Sequence, residues 1–559
     1  MAYSAILLSM KTLINKQTID LKNMSREELE NEYIKLKTQA TDLAAKLDWY
    51  EQQYRLSKAK MFGPSSEKGV DGQLTLPIFN EAETEREPIN IEPKEKDLPI
   101  EENDKKEKHP HDKKHDIKNL PVIETTYLLT PEEQVCPKCG GALHEVRPEI
   151  RTEIEVIPAK VVVRKYSSMI YGCRNCEKND SSYMVKAPGA PEAVIKGSMV
   201  SPSLLADIMV KKYVDATPLY RQEQDYKRKG IPITRNNMAH WVIRSSDDWL
   251  QLIYDRLHEI LLSKDVIHMD ETTLEVLSEP HRPATSNSYI WVASTSGCDS
   301  DKPIALYHYT ETRASYQARK FLGNYQGYIH VDGYAGYDSL LKETKDGPAM
   351  NVTLISCMAH ARRKYDEALK AVKKEDYRHT AANQALLYIK EMFHIEEEIS
   401  KTSMEDKETF YQYRYKERLK RLRPVMDDFF AWAEGELPKV LPKCSYGTAI
   451  KYTVKQKEKL LNVLLDGRLE LTNNKAERTV KPFIIGRKNW LFTSTPAGAR
   501  SSATIYSIIE TAKQNNLNPF EYIKHLFNKL PVINVCDLEE LDQLLPWSEK
   551  LPECCKAKA

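Results

Sequence analysis

Four cysteines stand in two short pairs, Cys136-Pro-Lys-Cys139-Gly-Gly and Cys173-Arg-Asn-Cys176. Thiolates at that spacing, once brought together, make a closed tetrahedral zinc site that holds a small fold and leaves no open position for catalysis. Far downstream, two apolar runs finish in aspartate, VIHMD at 266–270 and YIHVD at 328–332. Adjacent carboxylates of this kind suit Mg2+, a hard cation that takes oxygen ligands and keeps positions open for phosphate and water. Such a site needs a third carboxylate, and Glu477 in LTNNKAERTV at 471–480 is the best candidate. Asn473 and Asn474 can cap a helix there, which puts Glu477 in its first turn. On pattern alone Glu470 and Asp466 compete with it, and Asn474 to Glu477 also has the spacing of a capping box. Glu271 adjoins Asp270, but neighbouring strand residues face opposite ways, so it should not share the site.

These side chains need a sheet to carry them. The runs VIHMD, YIWVA (289–293), IALYHY (304–309), YIHVD and VTLIS (352–356) read as strands, with a helical stretch at 314–322 before the fourth. Three strands, a helix, then further strands is the ribonuclease-H-like order, a mixed sheet whose first three strands are antiparallel. First and fourth strands lie side by side in that order, which brings Asp270 and Asp332 to one sheet edge. A helical insertion rich in Lys, Glu and Tyr, at about 363–466, separates the fifth strand from Glu477.

Upstream of the sheet, helical patterns cover residues 202–214 and 218–229, and Gly230-Ile-Pro-Ile turns into a third helix with Thr234 as N-cap. Arg235, Asn236 and Asn237 stand at its exposed start. In a helix-turn-helix that is where Arg reads guanine and Asn reads adenine in the major groove; a plain helical hairpin fits the pattern equally. Arg362 and Arg363 form one candidate phosphate patch, and Arg478, Arg487 and Lys488 another, with Trp490 and Phe492 interleaved for unstacked bases. A buried strand is the competing reading of Trp490-Leu-Phe492. Cys357 and His360 read as zinc ligands or, lacking a second pair, as a structural turn.

A chain of 559 residues is too long for one core. Lys and Arg number 82 against 81 Asp and Glu, a net +1, so nucleic-acid binding must come from local patches. Ten cysteines without a secretory segment, and no run long enough to span a membrane, predict a soluble cytoplasmic protein. Leu29, Tyr33, Leu36, Ala40, Leu43, Leu47, Tyr50 and Tyr54 make a heptad stripe: either a coiled coil for homo-oligomerisation or an amphipathic helix docking on its own protein. Residues 81–118 hold thirteen acidic and nine basic residues and no aromatic, so they cannot bury a core. The stretch RTEIEVIPAKVVVRKYSSMI at 151–170 reads as two strands, with one zinc knuckle before them and one after. The expected organisation is a multidomain α+β and α/β chain. It has a coiled coil at 20–60, a linker at 61–120, a zinc ribbon at 121–197, a helix-turn-helix at 198–250, a ribonuclease-H-like catalytic domain at 262–510 and a C-terminal tail at 511–559.

The motifs FGPSSEK (62–68), the two cysteine pairs, KYVDATPLYRQE (212–223), MDET (269–272), HVDGYAGY (330–337), CMAHARRK (357–364), NNKAER (473–478), GRKNWLF (486–492) and IYSIIETAK (505–513) together resemble transposases of the insertion-sequence-66 family. The resemblance runs over nearly the whole chain. It implies that Asp270, Asp332 and Glu477 are the acidic triad of a D-D-E transposase, which promotes Glu477 over its competitors. Two Mg2+ (or Mn2+) ions roughly 4 Å apart would then serve phosphodiester hydrolysis at the element's ends and attack of the freed 3′-hydroxyl on target DNA. Asp270 is expected to bridge both ions, with Zn2+ purely structural. The family implies DNA as partner, with small accessory proteins of the same element beside it.

Overall fold

In the computed structural model, the residues described are 161–166, 170–172, 184–186 and 191–557 except 300, 373, 405 and 442. The heptad stripe, the charged linker and all four cysteines of the zinc pairs lie outside them. In the 83–190 unit, β1 (Ile170–Gly172) pairs antiparallel with β2 (Met184–Lys186), Ile170 opposite Lys186. Residues 161–166 form no regular element, contrary to the strand expected there. A β-branched run makes a strand only where a partner lies in register. Pairing instead begins at Ile170, so the Cys173/Cys176 pair falls between two paired strands in the chain rather than after both.

From Pro191 on, the described residues of the larger unit open with three helices, the first and third of them capped at the start by a side chain. In α1 (Pro202–Tyr213) the Ser201 hydroxyl accepts from the Leu204 amide, and Pro202 occupies the first turn where no donor is missed. After α2 (Leu219–Arg228), Gly230 at φ +75° makes the turn that reverses the chain. The Thr234 hydroxyl then accepts from the Asn237 amide at 3.2 Å to open α3 (Arg235–Ser245). A π turn at Ser246–Leu250 runs on into α4 (Gln251–Leu262) without a break, and α4 feeds the sheet.

The sheet has five strands in the order β5-β4-β3-β6-β7. These are β3 (Val266–Glu275), β4 (Asn287–Thr295), β5 (Ala305–Thr310), β6 (Gly327–Val331) and β7 (Val352–Ser356), with α5 (Ser315–Leu322) crossing over before β6. β3–β4 and β4–β5 are antiparallel, while β3–β6 and β6–β7 are parallel. Two amides of edge strand β5 donate to side chains of α13 (Pro496–Gln514): Tyr307 to Ser507 at 2.8 Å and Ala305 to Thr511 at 3.0 Å. A helix thus closes an edge that would otherwise offer itself to another chain. The core runs without interruption from α1, α3 and α4 through Ile267, Met269, Ile329 and Val331 to Ile508 and Phe527 of the C-terminal helices.

The insertion is helical as expected: α6 (Met358–Lys370), α7 (Ala381–Ser400), α8 (Lys407–Glu417), α9 (Arg423–Glu436), α10 (Ser445–Lys455) and α11 (Lys457–Leu461). It has its own apolar core, anchored to the sheet by Val266 and Ile355 and to the outgoing chain by Leu469 and Leu471. Within it Arg418, fully enclosed, donates to both oxygens of Glu396 at 2.8 and 2.9 Å. The chain leaves it into α12 (Asn474–Trp490).

Candidate active site

β3 and β6 run parallel with His268 level with His330 as their last paired rung. Two residues further along each chain, on the same face, come Asp270 and Asp332. The repeated His-x-Asp is therefore a register mark, a signal the sequence carried on both strands. Asp332 follows directly on the end of β6, as expected. Asp270 does not end its strand: β3 continues to Glu275 because Glu271 to Glu275 keep pairing with β4. Tyr334 donates its amide to Asp332 Oδ1 at 2.7 Å, and Tyr452 of α10 donates its hydroxyl to the Asp332 carbonyl at 2.6 Å.

Glu477 is carried to this face by a clasp that sequence reading missed. Asn473 stands at the N-cap position of α12, but its side chain does not cap the helix. It is fully buried instead. Its Oδ1 lies 2.8 Å from His268 Nδ1 and its Nδ2 donates to the Met269 carbonyl at 2.8 Å, just past the last β3–β6 rung. The Asn473 amide donates to Cys357 Sγ at 3.1 Å, and the Met358 amide to the Leu471 carbonyl at 2.9 Å. The first turns of α6 and α12 are thereby locked to each other and to β3, with Glu477 in the first turn of α12.

Electrostatics record the convergence. Asp270 is pushed up to about 8, first by burial and then by the charges of Glu271, Asp332 and Glu477, against a bond from the Glu271 amide. His360 is held below the ordinary histidine range chiefly by burial, with Glu477 and Asp332 both pulling it back up. Oxygen donors gathered in a buried setting, as Asp270, Asp332 and Glu477 are, fit a hard divalent cation, which offsets their mutual repulsion. Glu477 Oε1 is moreover buried without a hydrogen-bond partner.

The competitors of Glu477 are occupied elsewhere. Glu470 accepts from the Gly297 amide at 3.0 Å and from the Ser296 hydroxyl at 3.3 Å. Burial works to raise it, but His268, the Gly297 amide, Lys475 and Arg414 outweigh that and hold it low. Asp466 binds Arg468, Oδ2 to Nη2 at 2.9 Å. Glu271 turns to the other face, taking Arg313 Nε at 2.8 Å and the Tyr337 hydroxyl at 2.8 Å. His268 and His330 stack at 4.2 Å behind the aspartates, both fully buried, and the Glu470 amide lies 3.3 Å from His330 Nε2.

The cations divide. Arg235, Asn236 and Asn237 are exposed at the start of α3, where Arg235 lies over the Tyr220 ring and its amide donates to Glu223 at 3.0 Å. Lys488 is exposed and Arg362 and Arg478 are half-buried. Arg363 and Arg487, also expected at phosphates, are partly exposed and have partners within the chain. Arg363 Nη2 donates to Glu477 Oε2 at 3.2 Å, and Arg487 Nη1 to the Thr272 and Thr273 hydroxyls at 3.2 and 2.9 Å. The reason is proximity: each basic side chain finds an acceptor on the strand or helix its own helix packs against. Trp490-Leu-Phe492 is not a strand. Trp490 ends α12 near Tyr213 and Tyr506, whereas Leu491 (φ +66°) and Phe492 are exposed.

A sequence profile described as the transposase IS66 family matches residues 197–501, more than half of the chain. The chain belongs to the IS66 transposase family. Further IS66 profiles match the C-terminal element at 507–547 and a zinc-finger binding domain at 133–177, which spans both cysteine pairs. Another, described as the transposase C of IS166 homeodomain, matches 49–125 and so overlaps the segment whose composition reads as linker. Zinc-binding and DNA-binding domains are thus part of this transposase. Its relatives include the uncharacterized proteins y4jD and y4qI of Sinorhizobium fredii (strain NBRC 101917 / NGR234). Each is 29% identical, over 79% of this chain and 82% of y4jD, and over 80% of this chain and 79% of y4qI. No helix of the described residues is long and apolar enough to cross a membrane.

Proposed function

We propose that this IS66 transposase is an active D-D-E enzyme of ribonuclease-H-like build. It cleaves phosphodiesters at the ends of an insertion sequence and transfers the freed strands into target DNA. One observation carries the reading: a buried polar clasp, Asn473 on His268 and Met269, brings the Glu477 helix onto the strand that holds Asp270, beside Asp332. Asp270, Asp332 and Glu477 would hold Mg2+ or Mn2+, which supplies an activated oxygen nucleophile and charge neutralisation at the phosphate. Burial first, and then the neighbouring carboxylates, push Asp270 up to about 8, so a bound cation would have to displace a proton from it. Arg363 holds the Glu477 carboxylate by one oxygen and leaves the other inward. His268, His330 and Asn473 fix the strands and helix from behind.

DNA would be read by Arg235, Asn236 and Asn237 at the start of α3 and held through phosphates by Arg362, Arg363, Arg478, Arg487 and Lys488. The cysteine pairs serve a structural Zn2+, the N-terminal heptads an oligomer, and the protein works in the cytoplasm at the nucleoid with accessory proteins of its element. The test is Asp332→Asn with end-sequence DNA, target plasmid and Mg2+. Cleavage and joining should be abolished with end binding retained, and undiminished cleavage refutes the assignment. Nicking by the unaltered protein without joined products would make it a nuclease instead.

A further inference from the structure

Cys357, His360 and Glu477 bring one sulfur, one nitrogen and one oxygen donor within 4.8 Å of one another. We propose that these three side chains form a site for a thiophilic divalent cation such as Zn2+. Its occupation would withdraw Glu477 from the hard-cation set and switch catalysis off. The switching half rests on the active-enzyme reading above; the binding half does not.

The donor set selects the metal. Thiolate and imidazole suit Zn2+, whereas Mg2+ takes oxygen ligands. The scaffold is built. Cys357 and His360 lie three residues apart at the start of α6, so both reach toward the same side of its first turn. Glu477 lies in the first turn of α12, and two bonds fasten these turns together, Met358 amide to Leu471 carbonyl and Asn473 amide to Cys357 Sγ. An amide donating to the sulfur is what a metal thiolate uses to disperse its charge.

The inward atoms are the ones left open. His360 Nδ1 and Glu477 Oε1 are buried, have no hydrogen-bond partner and face each other at 3.6 Å. That is close to the roughly 3.4 Å donor–donor edge of a tetrahedron with zinc bonds of about 2.1 Å. Arg363 holds the outward atoms, Glu477 Oε2 at 3.2 Å and His360 Nε2 at 3.3 Å. On metal binding the Cys357 proton leaves to solvent and the His360 ring proton resides on Nε2. Arg363 Nη1 then releases that nitrogen while Nη2 stays on Glu477. Three protein ligands leave the fourth position to water.

The test uses the full chain with its zinc-finger cysteines intact, equilibrated with buffered Zn2+ and assayed for bound metal. The unaltered protein should hold one equivalent more than either Cys357→Ser or His360→Gln, with circular dichroism confirming that the variants are folded. His360→Gln decides the matter if the buried Cys357→Ser fails to fold. Equal zinc content in protein and folded variants overturns the site. In Mg2+-driven end cleavage, free Zn2+ at about ten times its Kd should slow the unaltered protein roughly tenfold. The same zinc should leave the rate of His360→Gln, measured against its own zinc-free value, unmoved. Binding without that difference overturns the switch. Absence of cleavage under every condition would count against the transposase reading alone, with the metal content still deciding the site.

Discussion

Replacing Asn473 by alanine removes the side chain that joins α12 to β3. Two buried bonds of 2.8 Å are lost, to His268 Nδ1 and to the Met269 carbonyl. A typical bond contributes about 1 kcal/mol, and a buried group left unpaired costs roughly 1–3 kcal/mol. His268 Nδ1 and the Met269 carbonyl both lose their Asn473 partner in a fully buried setting, so Asn473→Ala should destabilise the larger unit by about 2–5 kcal/mol. The Asn473 amide on Cys357 survives the substitution, which limits the damage to the β3 side of the clasp. Glu477 should then sit loosely against the aspartates, and a displacement of about 1 Å at such a site costs on the order of 100-fold in rate. Urea unfolding followed by tryptophan fluorescence, with end cleavage measured well below the transition, separates the two effects. Stability within about 0.5 kcal/mol of the unaltered protein, together with an unchanged rate, would refute the clasp.

The charge on Asp270 makes the metal requirement pH-dependent. Its carboxyl is raised to about 8, so below that pH a proton competes with the cation, one released for each site filled. Apparent Mg2+ affinity in cleavage should climb up to about tenfold per pH unit from 6 toward 8 and then level off; a flat profile contradicts the coupling. Glu396→Ala leaves the enclosed Arg418 guanidinium without its carboxylate, and the insertion should lose about 3–5 kcal/mol by denaturant titration. A loss under about 1 kcal/mol would mean that the pair is solvated. Arg235→Ala with Asn236→Ala should weaken specific binding by about 1–3 kcal/mol per lost base contact and non-specific binding far less. Equal losses in a competition shift assay would rule out α3 as the reader.

Local chemistry made much of this chain legible. Thr234 announces α3 because a hydroxyl at the N-cap satisfies an orphan amide within a few residues. Short apolar runs mark the sheet strands in the same local way. The Asp270 and Asp332 positions followed from those strands. By contrast VVVRKY at 161–166 has strand composition without a strand, because pairing is a property of two segments. Glu470 and Asp466 competed with Glu477 on pattern for the same reason: Asn473 finds His268 across 205 residues, and nothing near Glu477 in the chain encodes that meeting. Basic residues show charge in a sequence but not neighbours, so the bonds of Arg363 to Glu477 and of Arg487 to the Thr272 and Thr273 hydroxyls were not legible there.

What the sequence alone determined, then, is each residue's type and the short-range signals that start, stop and face its helices and strands, and these sufficed to name two aspartates and to resemble a family. Which distant partners Asn473, Cys357 and Glu477 meet was decided only when β3, α6 and α12 packed. Burial there makes every unpaired polar group costly, so the polar side chains must find partners on segments far away in the chain.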